Sequence, residues 1–234
     1  MEVITGGQLP LGVTFRENAV FDDFLPGDNA RTVGALRHAL ARLDEQMLYL
    51  WGAPGSGLSH LLQASVHELQ GQGLEVVYLP LKECLEYGPE ALENLDEVGA
   101  LALDDIDVIA GKLEWEEALF HLYNRLRDSG RTVLVTSHQS PLHLDLALPD
   151  LKSRLGWGLT FQIQPLNDEQ KMDWLIWKAR RRGLALEPDV AAFIINRVAR
   201  NMQSLVEAFE KLDQRSLAEQ RRLTIPFVKQ VLVL

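Results

Sequence analysis

A glycine-rich loop between an apolar run and an amphipathic segment constrains this chain more than any other feature. The loop, Trp51–His60, reads WGAPGSGLSH and directly follows the apolar residues MLYL at 47–50. A short apolar run bounded by Gly and Pro is typical of a buried parallel strand. Residues 58–70 then repeat leucine and valine at helical spacing. Strand, glycine loop and helix in this order are the context of a phosphate-binding loop.

The loop keeps the glycine spacing of a phosphate-binding loop but lacks its cation. In Gly52-x4-Gly57-x-Ser59, the glycines let backbone N–H groups face an anion, and the helix N-terminus adds positive potential. Ser59 stands at the Mg²⁺ ligand position, but Leu58 replaces the lysine that reaches the β- and γ-phosphates. We expect a weak nucleotide site that binds a diphosphate mainly through backbone groups. The alternative is a loop that binds no ligand. The candidate nucleotide-binding residues here are Gly52, Pro54, Gly55, Ser56, Gly57, Leu58, Ser59 and His60.

Strand signals recur along the first two thirds of the chain and then stop. They fall at residues 47–51, 74–79, 99–103, 132–136 and 159–163, with helical patterns between them, which favours parallel β-α units. After Gln164 the pattern is helical only. The sequence predicts an α/β core with a parallel five-stranded sheet, followed by a small all-helical lid. The expected divisions are an N-terminal tail at 1–20, the core at 21–165 and the lid at 166–234.

Local signals indicate where several helices begin and end. Asp28 or Asn29 can cap a first helix whose inner face includes Leu43. Asn167 and Gln170 have the spacing of a capping box at the start of the lid. Further signals are Gly130 and Gly183 at helix ends, Pro188 at a helix start, and helical patterns at 203–217 and from Pro226 onward.

Two carboxylates end the third apolar strand run. Asp104 and Asp105 follow Leu101-Ala-Leu, and an apolar strand ending in two acids after a glycine loop is typical of a Walker B motif. In that interpretation Asp104 holds Mg²⁺ through a water molecule, and Asp105 orients a water. The alternative is that these acids and Asp107 are solvated or cap a helix.

Composition excludes several classes of protein. The formal net charge is −10, which argues against a free-standing DNA-binding protein, because phosphate contacts need clustered Lys and Arg. Cys84 is the sole cysteine, so no intramolecular disulfide forms, and we expect a reducing, cytoplasmic setting. We expect no signal peptide, and no apolar run approaches the roughly 20 residues of a membrane span. The histidines and Cys84 show no metal-ligand spacing.

Three segments resemble the AAA+ family of the replication initiator DnaA, and within it the short regulatory homologues of the Hda type. They are Phe21–Asn29 (FDDFLPGDN), Leu103–Ala110 (LDDIDVIA) and Leu151–Leu159 (LKSRLGWGL). The C-terminal Leu223–Lys229 (LTIPFVK) is also similar to the Hda type. The resemblance covers nearly the whole chain and implies an AAA+ fold with a helical lid.

The resemblance also implies roles for individual residues. Phe21 and Phe24 match aromatic residues that approach the nucleotide base, and Arg154 matches an arginine finger that acts in trans. Gln203 falls where the family's lid carries a sensor arginine, and His138 falls where the initiator has an acid. The lysine replaced by Leu58 and the sensor arginine replaced by Gln203 are therefore both absent, whereas Arg154 is present. We therefore expect the protein to act on a partner's ATP. The chain's own ATPase is expected to be weak or absent, with ADP and Mg²⁺ as the implied ligands.

The tail contains a peptide similar to those that bind the replication sliding clamp. It reads Gln8-Leu9-Pro10-Leu11-Gly12-Val13. Leu9, Leu11 and Val13 would fill an apolar pocket, and the Gln8 amide would make oriented hydrogen bonds. We expect no counterpart of the initiator's DNA-binding and helicase-loading domains.

These expectations combine into one functional hypothesis. The protein would be an adaptor, not an enzyme, that binds the DNA-loaded sliding clamp of DNA polymerase III and stimulates hydrolysis of DnaA-bound ATP, which inhibits re-initiation. DNA would be reached only through the clamp, no membrane would be involved, and a homo-oligomer is a further expectation. The alternatives are a stand-alone AAA+ ATPase or helicase loader that uses Asp104 and Asp105, and a clamp–initiator bridge without catalysis.

Overall fold

A five-stranded parallel sheet forms the centre of the computed structural model, which describes residues 19–198 and 201–233. The sheet order is β2-β3-β4-β1-β5, and every neighbouring pair is parallel. The strands lie where the sequence predicts them, so the predicted fold class is confirmed. Their bounds are β1 Met47–Gly52, β2 Val76–Pro80, β3 Ala100–Asp104, β4 Thr132–Ser137 and β5 Leu159–Ile163.

Helices connect the strands and then continue alone. The described residues divide after Gln164 into two compact units. The first unit contains α1 Ala30–Arg42, α2 Leu58–Gly71, α3 Leu81–Cys84, α4 Leu113–Asp128 and α5 Pro149–Leu155; the second contains α6 Asp168–Arg181, α7 Pro188–Arg197, α8 Met202–Glu219 and α9 Ile225–Leu232. Short 3-10 turns lie at Phe21–Asp23, Gly27–Asn29, Leu85–Tyr87, Pro89–Leu92 and Ile106–Ile109.

The central strands β1, β3 and β4 are buried on both faces of the sheet, and β1 alternates its side chains between two apolar layers. Met47 and Tyr49 belong to the layer that contains α4 and α5. Leu48 and Leu50 belong to the layer that contains α1 and α2. This two-residue period is the geometry of a strand, and burial on both faces explains why the strand runs read as continuous apolar sequence.

The second unit packs four helices around its own apolar side chains. The rings of Trp174 on α6 and Phe209 on α8 meet edge to face with centroids 6.0 Å apart. Phe227 on α9 is completely buried. The predicted capping box is confirmed, since Asn167 accepts from the Gln170 backbone N–H and Gln170 reaches back to that of Asn167.

Two expectations for the first helix are wrong. Helix α1 begins at Ala30 with Asn29 at the N-cap position, but the Asn29 side chain makes no capping hydrogen bond. The Asn29 side chain instead exchanges two hydrogen bonds with the Gln164 backbone, at 2.8 and 2.9 Å, and so ties the start of α1 to the end of β5. Leu43 lies beyond the helix with a left-handed φ of 53° and is 36% exposed. It therefore does not belong to the inner face.

No helix within residues 19–198 and 201–233 is both long and apolar enough to cross a membrane.

Replacement of Gly158 by Ala is expected to destabilise the protein, because a Cβ atom there would overlap the carbonyl oxygen of Met47 at the start of β1. Overpacking of this kind costs about 1–3 kcal/mol, and urea unfolding measures the loss. Gly156→Ala is the matched control, since the nearest atom to its Cβ would be the Ser153 oxygen at 3.5 Å. Equal unfolding midpoints for the two variants would contradict the prediction.

Candidate functional site

The glycine loop forms a cradle at the carboxyl end of β1. Gly55 and Gly57 have φ angles of 81° and 94°, which a residue with a side chain rarely adopts. A Cβ at Gly52 would overlap the Ile163 carbonyl oxygen, so only glycine fits there. The Ser56 Oγ is buried and has no hydrogen-bond partner among the described residues. With the first N–H groups of α2, which have no intrahelical acceptor, this cradle has the polarity that an anion requires.

Leu58 replaces the expected cation with an apolar core contact. It is the first residue of α2 and only 4% exposed. It belongs to the apolar layer between the sheet and helices α1 and α2. Ser59, the next residue, is exposed beside the loop. The position that would carry positive charge toward phosphate therefore contributes to the core instead.

An aromatic side chain covers the loop. Phe24 lies against Gly57, where a Cβ would come within 2.7 Å of the ring carbon Cε2. The Phe24 ring centroid is 5.6 Å from that of His60, and the His60 Nε2 lies 3.0 Å from the Val20 carbonyl oxygen. Phe21 is buried in the core. The predicted aromatic segment is thus beside the loop, with Phe24 as its partly exposed member.

Asp104 is buried at the end of β3, and both of its carboxylate oxygens accept a hydrogen bond. Its Oδ2 accepts from the Tyr78 hydroxyl at 2.7 Å, and its Oδ1 accepts from the Thr136 hydroxyl. Tyr78 in turn accepts from the Gln63 amide at 3.0 Å. Burial, followed by the charge of Asp104, raises the pKa of Tyr78 well above its usual value, so this phenol stays a neutral donor. The alternative of a solvated acid is wrong for Asp104.

Asp105 lies beside Asp104 in a strained, partly buried position. It has a left-handed φ of 59°, and its N–H donates to the Thr136 hydroxyl at 2.9 Å. Burial and the neighbouring charge of Asp104 raise the pKa of Asp105, and His138, 3.7 Å from its carboxylate, opposes the shift. The His138 ring is also 3.3 Å from the Gly52 carbonyl oxygen. This histidine therefore joins the acids to the loop.

The residues of the glycine loop are better suited to binding an anion than to hydrolysing a Mg²⁺-bound nucleotide. The loop offers backbone N–H groups and the Ser56 hydroxyl, but Leu58 points into the core. Gln203, in the second unit, donates to Glu207 one turn along α8 at 2.7 Å. Ser59 and Asp104 remain the candidate Mg²⁺ ligands, and no group of three or more His, Cys, Asp or Glu side chains gathers as a metal site in the part of the chain that is described.

Arg154 lies at the opposite end of the sheet from the loop. It is in the last turn of α5, and its guanidinium sits 4.3 Å from the centroid of the Trp157 ring, which is 63% exposed. Gly158 packs against Met47, so this segment adjoins the amino ends of β1 and β5. Strands of this length span about 17–20 Å. Arg154 is therefore too far from the chain's own glycine loop to reach a phosphate bound there.

The predicted clamp-binding residues Gln8, Leu9, Leu11 and Val13 lie outside the described residues.

Sequence reasoning missed several residues around Asp104. Tyr78 and Thr136 are in predicted strands, but nothing in their spacing indicated that both would donate to Asp104. Pro54, which was predicted, is an exposed loop residue.

A parallel sheet that carries a glycine cradle, strand-end acids and a helical lid defines the AAA+ class of P-loop proteins. Residues 15–162 match the family model of the bacterial DnaA ATPase domain, and residues 168–232 match that of the Hda lid domain. The chain therefore belongs to the family of the bacterial DnaA ATPase domain, as a DnaA-related protein with a lid of the Hda type. This confirms the resemblance that the sequence motifs indicate.

Solved structures show the same fold. Domain III of DnaA from Thermotoga maritima superposes with a TM-score of 0.75 at 24% identity, covering 93% of this chain and 96% of that one. AMPPCP-bound DnaA from Aquifex aeolicus gives 0.71 at 22% identity, covering 88% and 71%. The RuvB branch migration motor of Thermotoga maritima gives 0.63 at 18% identity, covering 94% and 72%. At these identities the likeness extends to the fold alone.

Asp105→Asn is expected to stabilise the protein increasingly as the pH rises from about 4 to 7. The folded state holds the Asp105 proton more tightly than the unfolded state, because the folded pKa is raised. The contribution of Asp105 to the free energy of unfolding therefore falls as the pH rises through this window, and that of the amide does not. Urea unfolding at several pH values measures the difference. Asp145→Asn, which removes an exposed carboxylate of the same unit, controls for the lost charge, and a pH-independent gain would contradict the prediction.

Proposed function

We propose that this protein is a regulatory adaptor that stimulates hydrolysis of the ATP bound to the initiator DnaA and thereby inhibits re-initiation of replication. Arg154 would act as an arginine finger in trans. The observation that carries this proposal is the position of Arg154, at the sheet end away from the chain's own glycine loop. Family membership supports DnaA as the partner, because residues 15–162 match the model of the bacterial DnaA ATPase domain.

The surroundings of Arg154 suit this role. A guanidinium is always charged, and its planar fork matches phosphate oxygens. The exposed Trp157 ring, with its centroid 4.3 Å from the guanidinium carbon, supports the side chain through a cation–π contact. A finger of this kind stabilises the negative charge that develops on the transferred γ-phosphoryl group, which contributes about 10³–10⁵ in rate.

The chain's own site supports the same division of roles. Leu58 is buried in the core, and Gln203 is bonded to Glu207, so neither supplies positive charge to a phosphate. A nucleoside diphosphate would be held through the N–H groups of the loop, with Phe24 beside it. Bound Mg²⁺ would supply charge neutralisation there, with Ser59 and Asp104 as its ligands. The protein would thus act as an activator of its partner and not as an enzyme itself.

Clamp binding rests on the sequence alone. The peptide Gln8–Val13 would dock on the sliding clamp with its apolar side chains in a pocket, and Pro10 would reduce the entropy lost on binding. DNA would be approached through the loaded clamp, in keeping with the net charge of −10.

Arg154→Ala is expected to lower the stimulated rate of ATP hydrolysis by DnaA at least about 100-fold, since the charge on the transition state loses its main partner. DnaA loaded with labelled ATP is mixed with clamp-loaded DNA and this protein, and the ADP fraction is followed in time. Lys152→Ala, on the same helix, is the control for loss of one positive charge. Gln8→Ala is expected to reduce stimulation through weaker clamp binding.

The same assay separates the alternatives. A bridge without catalysis would keep its effect in Arg154→Ala, which would contradict the arginine-finger proposal. No acceleration of hydrolysis by the wild-type protein, despite clamp binding, would exclude the adaptor function.

The isolated protein is expected to show little or no ATP hydrolysis, because its loop lacks a cation. Phosphate release in the presence of Mg²⁺ measures this directly. Turnover that is abolished by Asp104→Ala would contradict the expectation and favour the stand-alone ATPase.

A further inference from the structure

Glu116 on α4 is a carboxylate buried completely inside the first unit. It accepts three backbone hydrogen bonds. Oε1 accepts from the N–H groups of Gly111 at 2.7 Å and Ala147 at 3.1 Å, and Oε2 accepts from that of Leu148 at 2.7 Å. Charge-assisted bonds of this kind are stronger than neutral ones. The side chain therefore joins two loops that are far apart in sequence.

One of these loops leads directly into the helix that carries Arg154. Leu148 is the residue that precedes α5, and its carbonyl oxygen accepts from the Lys152 N–H. Pro149 follows at the first helical position. The N–H of Leu148 thus bonds to Glu116 while its carbonyl oxygen begins α5. Glu116 sets the point from which the helix starts.

The far end of α5 meets the same face of α4. Leu155, the last residue of α5, and Tyr123 of α4 are buried in the same apolar layer. Burial raises the pKa of Tyr123, and the charges of Arg127 and Arg154 oppose this shift. Glu116 and Tyr123 are seven residues apart, two helical turns or about 10 Å. Helix α5, with seven residues, has nearly the same length. The start of α5 is therefore bonded to α4 through Glu116, and its end shares an apolar layer with α4.

Leu151 and Leu155 are buried in the apolar layer that contains α4, but apolar burial is non-directional. Hydrogen bonds are directional and fix the position of the donor relative to the acceptor. We infer that Glu116 is a positioning residue for Arg154, which it places by fixing the start of α5 through the N–H groups of Ala147 and Leu148. This inference rests on the proposed function of Arg154.

Glu116→Gln tests the inference with little change in volume. The amide keeps one acceptor oxygen for the paired donors Gly111 and Ala147, and its NH₂ group then faces the Leu148 N–H. The stimulated rate of DnaA-bound ATP hydrolysis at saturating protein is expected to fall about 10–100-fold, the effect of a misplacement of about 1 Å. The protein concentration that gives half of the maximal stimulation is expected to stay unchanged. Glu117→Gln, the adjacent exposed residue on α4, is the matched control.

A double variant separates positioning from general stability. If Glu116 acts through Arg154, Glu116→Gln in an Arg154→Ala background causes no further loss of stimulation. An additional loss of the same factor would overturn the inference, because it would show an effect independent of Arg154.

Amide hydrogen exchange supplies a readout that needs no partner. In the wild-type protein, the N–H groups of Ala147 and Leu148 are expected to be protected as strongly as the middle of α4. Free exchange at both would overturn the inference even if Glu116→Gln failed to fold. In a folded Glu116→Gln, loss of protection at Leu148 with full stimulation would also overturn it.

The two proposals fail in different ways. Wild-type protein that gives no stimulation, or an Arg154→Ala variant that retains it, contradicts the proposed function. Loss of stimulation in Arg154→Ala together with normal stimulation in Glu116→Gln leaves that function intact and overturns the positioning role alone.

Discussion

The positions of the glycine loop and of the Arg154 segment both depend on strand β1. It pairs with β4 on one side and β5 on the other, and its side chains are buried on both faces of the sheet. Its carboxyl end supplies Gly52 and the glycine loop. Its amino end receives the close approach of Gly158, next to the Arg154 segment. Because a doubly paired strand is rigid, it keeps the glycine loop and Arg154 a fixed distance apart and facing opposite ways.

The loop shows how a nucleotide cradle keeps its shape without the usual cation. A lysine at position 58 would have to direct its charge away from the apolar layer that Leu58 fills, whereas leucine adds its side chain to that layer. The network of Gln63, Tyr78, Asp104 and Thr136 meanwhile satisfies the buried carboxylate with protein donors. An unpaired buried charge would be costly, so this network gives Asp104 a structural role that does not require catalysis. The folded arrangement around Asp104 therefore does not depend on a bound ligand.

The local patterns of the sequence predicted most of the fold, because strands, capping boxes and helix-ending glycines are local signals. Apart from Leu43, which ends α1 instead of joining its inner face, the failures concern contacts between distant residues. Asn29 is of a residue type that often caps helices, but its side chain bonds to the backbone of Gln164, 135 positions away. Helix α5 is too short for a helical period to show. Glu116 reads as one acid in an acidic helix, and only the folded chain brings Ala147 and Leu148 to it. The loop and the strand-end acids were predictable for the opposite reason, since each is a short motif at a strand end.

The shortness of α5 has a consequence for Arg154. An isolated helix of seven residues is not stable in water, because nucleation costs more than so few hydrogen bonds return. Its existence depends on Leu151 and Leu155 in the core, and its direction depends on contacts with α4. The orientation of Arg154 is therefore a property of the α4–α5 pair and not of its own segment. Trp157 can remain exposed because α5 is held by the buried side chains of Leu151 and Leu155. The Trp157 ring contacts the Arg154 guanidinium.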